Sequence, residues 1–245
     1  MVDPARRDST SAQRRARMGG GLYAHVFQAL GQEIIDGTLP VGSIVFAEQI
    51  SERFGVSRSV VRESLRSLAS MGLLESRPQV GTRVLPRERW DLLNPHVVHW
   101  RSQGHGYREQ MRELLELRLG LEQVAARFAS ERMSPEQAQQ LIAAADGMGA
   151  AMHELHDLRA YFDADATFHR LLLEGTGNPV IAQLSDTIGA TLHARAVDTR
   201  PGMHDITETS LTTHRELAHA IAERDTERAE QLARALVTDT LDEFS

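Results

Sequence analysis

Hydrophobic positions change their rhythm twice along this chain, and the changes outline its architecture. Residues 23–36 place Val26, Phe27, Leu30, Ile34 and Ile35 at helical spacing. Gly37-Thr38-Leu39-Pro40-Val41-Gly42 reads as a turn, and residues 47–54 as a short amphipathic helix. Gly55-Val56-Ser57-Arg58 is a tight turn into a second helix from Ser59 to Met71, stopped by Gly72. The rhythm then shortens to alternation in residues 73–77 and 82–85, two strands joined by Pro78-Gln79-Val80-Gly81. Beyond residue 90 no convincing strand appears. Helical patterns fit 107–133, 134–154, 157–174, 178–198, 207–224 and 226–243. In the first of these, Leu114, Leu117, Leu121, Val124 and Phe128 mark the stripe expected to face the core. Ser134-Pro135-Glu136-Gln137 is a start signal, Gly175 and Gly177 a stop, Asn178-Pro179 another start, and Asp225 a cap.

The predicted fold is therefore mainly α. An N-terminal winged helix-turn-helix is followed by a C-terminal all-α antiparallel helical bundle. Residues 1–20, polar, Arg-rich and closed by three glycines, read as a disordered basic arm. The winged domain is expected over 21–86, a linker over 87–95, and the helical domain over 96–245.

Charge divides the same way. Residues 1–90 carry 13 Arg against 9 Asp and Glu, a net of +4. The remainder carries 14 basic and 25 acidic residues, a net of −11. A basic head on an acidic body suits a head that meets a polyanion. The chain has no cysteine, which excludes disulfides and thiolate metal sites. No apolar run is long enough to span a bilayer and none follows the N-terminal arginines as a signal core, so a cytoplasmic location without membrane partners is expected.

Two helices at a sharp angle followed by a small hairpin place the second helix in a DNA groove. Ser57, Arg58, Ser59 and Arg62 stand at its entering end. Arginine there bonds guanine edges or clamps phosphate, and serine hydroxyls take phosphate oxygens. Arg66 reaches outward from the same helix. Gly81 at the hairpin lets the wing approach a minor groove, with Arg77 and Arg83 on its strands. The alternative for each arginine is a solvated surface position.

In the body, Asp165 and His169 are four residues apart on one helix face, and His214 lies on a later helix free to converge with them. The set suits a divalent metal (zinc, nickel or manganese) with positions left open for an effector. A surface pair with an unrelated histidine is the competing reading. Arg118 offers a bidentate guanidinium to a carboxylate, or else pairs with Glu122 on the helix surface. His193 and Arg195 are further candidates to line the same cavity. The other body histidines have no partner pattern.

Residues 37–84 resemble the GntR family of bacterial transcription regulators. The matching pieces are Gly37-x-Leu39-x-x-Gly42, Gly55-Val56-Ser57-Arg58, Val61-Arg62-Glu63-x-Leu65, Leu68-x-x-x-Gly72-Leu73 and Gly81-Thr82-x-Val84. Glu48 departs from the arginine that many relatives carry early in the first reading helix. The body resembles the effector-binding FCD domain of the FadR-like subfamily through Glu116-Leu117-Arg118-x-x-Leu121-Glu122, Asp165-x-x-Phe168-His169, Gly177-Asn178-Pro179 and His214-x-x-Leu217-x-x-Ala220-Ile221. That resemblance implies a metal held by Asp165, His169 and His214, with Leu236 where relatives have a last histidine. Leu93-Asn94-Pro95-x-Val97-Val98-x-Trp100 is most similar to the sugar-acid branch, which includes galactonate-operon repressors. The implied protein is a homodimeric repressor rather than an enzyme. It binds a palindromic double-stranded DNA operator and is released by a small carboxylate, a sugar acid or hydroxyacid. The rivals are a metalloenzyme fused to a DNA-binding head, a constitutive DNA binder with a purely dimerising body, and an acyl-CoA-responsive regulator.

Overall fold

The computed structural model describes residues 21–77, 81–197 and 207–244. The arm at 1–20 and the wing residues Pro78, Gln79 and Val80 lie outside the described residues. The chain forms two compact units that divide between Gly104 and His105.

In the first unit, helix α1 (residues 21–35) buries Val26, Phe27, Leu30 and Ile34. A short strand β1 (Ile44–Val45) leads into α2 (Ala47–Phe54), which ends at Gly55 with φ of 63°, the left-handed cap that glycine accepts at little cost. Ser57 caps α3 (Arg58–Ser70) by accepting from the Val60 amide. Strands β2 (Leu74–Arg77) and β3 (Gly81–Val84) pair antiparallel, with Leu74 opposite Val84 and Arg77 opposite Gly81. The expected two-stranded wing is a three-stranded sheet, ordered β1-β3-β2, because Ile44 and Val45 pair with Arg83 and Thr82. Two residues are too few to show an alternation in sequence.

The expected boundary also moves. The sequence reading puts a linker at 87–95 and opens the helical domain at 96. Instead, Arg87–Arg89 form a 3-10 turn whose Arg89 carbonyl packs against Gly72, where any Cβ would overlap it. A helix the reading missed follows: α4 (Pro95–Ser102), capped by Asn94. Its Trp100 is buried against Phe27, donates Nε1–H to Gln28, and fills the space left by the missing Cβ of Gly31. Burying an indole requires a partner for its N–H, and α1 supplies it. This helix therefore belongs to the first unit.

The second unit is helical throughout its described residues. It comprises α5 (Tyr107–Arg132), α6 (Pro135–Ala150), a π-turn Ala151–Leu155, α7 (Leu158–Gly175), α8 (Pro179–Ala182), α9 (Ser185–Val197), α10 (Glu208–Ala222) and α11 (Thr226–Asp242). The expected helix 178–198 is broken into α8 and α9. Helix α5 packs on α11 and α7, α6 on α7 and α10, and α9 on α7. Ser134 and Gln137 form the expected capping box, and Asp225 caps α11 through the Arg228 amide. Arg224, in the left-handed conformation at φ 61°, turns its guanidinium onto the carbonyls of Ser130, Glu131 and Met133 at the end of α5. It satisfies acceptors that the helix leaves open.

The stripe predicted for α5 is only partly right: Leu114 is buried and Leu121 packs on the core, but two of its members do not face inward. Leu117 and Val124 are 37% and 45% exposed. The buried line is Met111, Leu114, Leu115, Arg118, Glu122, Ala125, Ala126 and Ala129. Arg118 and Glu122 interrupt that line with charge, so a search for apolar periodicity slides to the neighbouring face.

Candidate functional site

The exposed face of the first unit collects the cationic residues. Arg58, Arg62 and Arg66 repeat every four residues along α3, all exposed, with Ser57 and Ser59 at its first turn. The Ser57 and Ser59 hydroxyls lie 2.8 Å apart. Arg58 Nη1 is 3.3 Å from Glu48 Oε1, and both side chains are more than half exposed. Arg77 pairs with Glu75 at 2.8 Å, and Arg83 donates to the Gly42 carbonyl at 3.4 Å. In a strand of period two, Arg83 and Gly81 share one face. Gly81 has φ of 111°, and a Cβ there would overlap Ile44, so glycine is required on two counts. All eight residues expected at this interface are thus exposed or on the sheet beside it, except that Gly81 is half-buried.

In the second unit α5, α7 and α10 bring together the buried groups Arg118, Glu122, Asp165, His169 and His214. Asp165, His169 and His214 each direct one ligand atom into a space where all three atoms lie within 4.8 Å of one another. His169 Nδ1 is 3.0 Å from Glu122 Oε2, and its Nε2 is 3.1 Å from Asp165 Oδ1. Glu122, absent from the expected site residues, is thereby the carboxylate that orients His169. Its signals in the sequence are its place four residues after Arg118 and at the end of the motif that resembles the FCD domain.

Arg118 does pair with Glu122, at 2.6 Å, but with side chains only 5% and 2% exposed. Another guanidinium nitrogen lies 2.9 Å from His169 Nε2. Arg118 thus directs Nε at Glu122 and Nη2 at His169, within the cluster. Burial disfavours charge on Glu122, but Arg118 and His169 overcome it and hold the carboxyl at about 2. Burial likewise opposes ionisation of Asp165, and the neighbouring His169 still draws it well below the usual range. Against burial, Glu122 raises His169 above its ordinary value.

The His214 geometry suits a cation. Its Nδ1 is 2.7 Å from the Ser210 carbonyl, which can only accept, so Nδ1 carries the proton in the neutral ring. Nε2 then presents a lone pair toward Asp165 Oδ1, 3.3 Å away. Both atoms are buried and neither has a hydrogen-bond partner. Two facing acceptors suit a shared divalent ion, and the backbone contact at Nδ1 is the usual orienting contact of a ligating histidine.

One helical turn earlier on α7 and α10, Tyr161 and Ser210 line a cavity of about 350 Å³. Arg195 from α9 and Leu236, Asp239 and Thr240 from α11 also face it, as do Thr207, Thr209, Thr213 and Glu243. Burial and the Asp165 charge push the Tyr161 phenol up, against a hydrogen bond with Ser210. Arg195 therefore lines a cavity, but one whose walls do not include Arg118, Asp165, His169 or His214, the groups beside which the sequence reading puts it. His193 does not: it is exposed, with Nδ1 on the Gly189 carbonyl and Nε2 3.0 Å from Asp163 Oδ1. One residue along a helix rotates by about 100°, so Arg195 and His193 cannot share a face.

A winged helix-turn-helix unit followed by an all-helical unit is a plan found among transcription regulators. Residues 22–84 match the model of bacterial regulatory proteins of the gntR family, and residues 113–239 match the FCD domain. The chain belongs to the GntR family, in the branch that carries an FCD domain. It is 32% identical over 214 residues to the galactonate operon transcriptional repressor of Escherichia coli (strain K12), covering 86% of this chain and 91% of that one. It is 30% identical over 201 residues to a probable D-xylose utilization operon transcriptional repressor of Paenarthrobacter nicotinovorans, covering 81% and 77%. The same fold occurs in Lar, which controls the expression of the Listeria monocytogenes agr system, with a TM-score of 0.64 and 19% identity over 91% of this chain and 95% of that one. Among the described residues no helix is long and apolar enough to cross a membrane.

Proposed function

We propose that this regulator is a repressor, released from a palindromic operator by a small polyhydroxylated carboxylate bound in the cavity of its second unit. The observation that carries the reading is the lining of that cavity. Tyr161, Thr207, Thr209, Ser210, Thr213 and Thr240 offer hydroxyls around one arginine, with Asp239 and Glu243 as further acceptors; the hydroxyls and carboxylates match the hydroxyls of an aldonate and the arginine its carboxylate. The apolar tunnel that an acyl chain needs has no counterpart in this lining. Repression is inferred from the two operon repressors to which the chain is similar.

Asp165, His169 and His214 would hold a divalent ion, with Glu122 fixing the His169 ring through Nδ1 and Arg118 moving off Nε2 to free its lone pair. When bound, the ion supplies an electrophilic anchor for ligand oxygens. Leu236 stands where the resemblance implies a further histidine, so the ion would have three protein ligands. Arg58, Arg62 and Ser57 read and clamp the operator, with Ser59, Arg66, Arg77, Gly81 and Arg83 as supporting contacts. A homodimer suits the exposed apolar residues Leu117 and Val124 on α5, and two-fold symmetry suits a palindrome.

Release requires that the effector bind the DNA-free arrangement more tightly. A coupling of roughly 1–3 kcal/mol changes operator affinity about 5–150-fold. The test is a thermal-shift series with galactonate, gluconate and xylonate, each with and without zinc, nickel or manganese, followed by operator binding with any compound that stabilises the protein. A stabilising aldonate that also weakens operator binding supports the reading. Absence of any shift across the series overturns it.

A further inference from the structure

The cavity contains a carboxylate of the protein's own. Arg195 Nη2 donates to Glu243 Oε2 at 3.0 Å, while its buried Nε has no hydrogen-bond partner. The guanidinium is held by α9 above the Phe162 ring, 5.6 Å from its centre. Glu243 engages the fork through one nitrogen only and leaves a buried donor unsatisfied. A ligand carboxylate presented along the fork takes both Nε and Nη2, the stronger bidentate arrangement. Glu243 and a bound carboxylate therefore compete for one guanidinium.

The position of Glu243 gives that competition a mechanical consequence. It follows α11 directly, and its neighbour Phe244 is buried with its ring 5.9 Å from that of Tyr107. Tyr107 is the first residue of α5 and fully buried in a small cluster with Met111, Leu115, Ala194 and Val237. It is also three positions after Gly104, where the first unit ends. The Arg195–Glu243 pair thus pins the segment that packs on the root of the helix leading from the DNA-reading unit.

We propose that Glu243 is a resident stand-in for the effector carboxylate, and that its displacement from Arg195 loosens Phe244 from Tyr107 and so transmits ligand binding to the start of α5. This rests on the effector reading above and adds the residues through which the effector would act. The latched arrangement is the one that binds operator.

The experiment uses full-length protein, an operator fragment selected from random DNA by the wild type, and Glu243→Gln, with Glu227→Gln on the exposed start of α11 as control. Without any ligand, Glu243→Gln should bind operator roughly tenfold more weakly, within the range of ordinary allosteric couplings, and Glu227→Gln should match the wild type. Amide exchange should rise together at residues 238–244 and 105–110 in Glu243→Gln. Phe244→Ala should reproduce both effects while keeping the Arg195–Glu243 pair. Wild-type operator affinity with unchanged exchange at 105–110 in Glu243→Gln overturns the latch, as does loss of affinity with exchange raised throughout the second unit. Galactonate and gluconate titrations of the wild type separate the two ideas. If neither compound acts, the effector reading fails, while the ligand-free affinities and exchange still judge the latch.

Discussion

His214 Nε2 faces Asp165 Oδ1 at 3.3 Å with its own Nδ1 already committed to the Ser210 carbonyl. Two buried acceptors held this close favour a cation between them. Zinc, nickel or manganese should therefore raise the melting temperature, and Asp165→Ala or His214→Ala should abolish the increase. The gain should also depend on pH. His169 is held above its ordinary value, so at lower pH an incoming ion must displace its proton. The metal-induced shift should be larger at about pH 8 than at about pH 6; a shift independent of pH would exclude His169 as a ligand.

The Arg118–Glu122–His169 group predicts an acid-labile body. Glu122 has a folded value of about 2 against an ordinary 4.5, so its contribution to stability is present above about 4.5 and is lost as pH falls toward 2. His169 acts in the opposite sense: its value is raised, so its contribution is full below its ordinary value and fades as pH climbs through the raised one. Arg118→Met leaves the buried Glu122 with His169 as its remaining partner and should cost up to roughly 3–5 kcal/mol in denaturant unfolding. Glu122→Gln should flatten the acid limb of the stability profile.

On the DNA-reading face, Arg58→Ala should weaken operator binding strongly and discriminate less between operator and unrelated DNA. Arg66→Ala should weaken both equally and reduce the salt slope by about one unit, as expected for a lost phosphate contact. Glu48 stands 3.3 Å from Arg58 and adds negative charge to this face. Glu48→Gln should accordingly raise affinity for non-specific DNA at low salt. Fluorescence anisotropy over a salt series measures all three, and equal specificity loss in Arg58→Ala and Arg66→Ala would remove the distinction drawn between them.

The exposed side of α5 carries a prediction about assembly. If Leu117 and Val124 meet a second copy, Leu117→Glu with Val124→Glu should give monomers in analytical ultracentrifugation, because like charges then face each other across the symmetry axis. The helical content should be unchanged, since both positions lie outside the core. A double variant that remains dimeric would move the interface elsewhere.

Much of the fold was legible because local signals agree with it. Ser57, Ser134, Asn178 and Asp225 cap helices through contacts that reach only two or three residues ahead, and Gly55 and Gly72 end them where a left-handed residue is required. The site was legible in part for the same reason: Asp165 and His169 share a helix face by spacing alone. Helix α4 was missed because its short pattern makes sense only against α1, where Gly31 leaves room for Trp100. The α5 stripe was partly misread because its buried face contains an ion pair that only a facing histidine can satisfy.

By itself the sequence determined the element types, the winged head, the basic-to-acidic division and the chemical candidates, since all of these follow from period, capping and composition. Tertiary structure alone decided which candidates meet. It buried Arg118 beside Glu122 and His169, sent His193 to the surface, and set Arg195 against Glu243 at a cavity. The reason is that burial and pairing between α5, α7, α9, α10 and α11 depend on helix rotations and crossings, and those are fixed by packing among distant residues rather than by any local stretch of the chain.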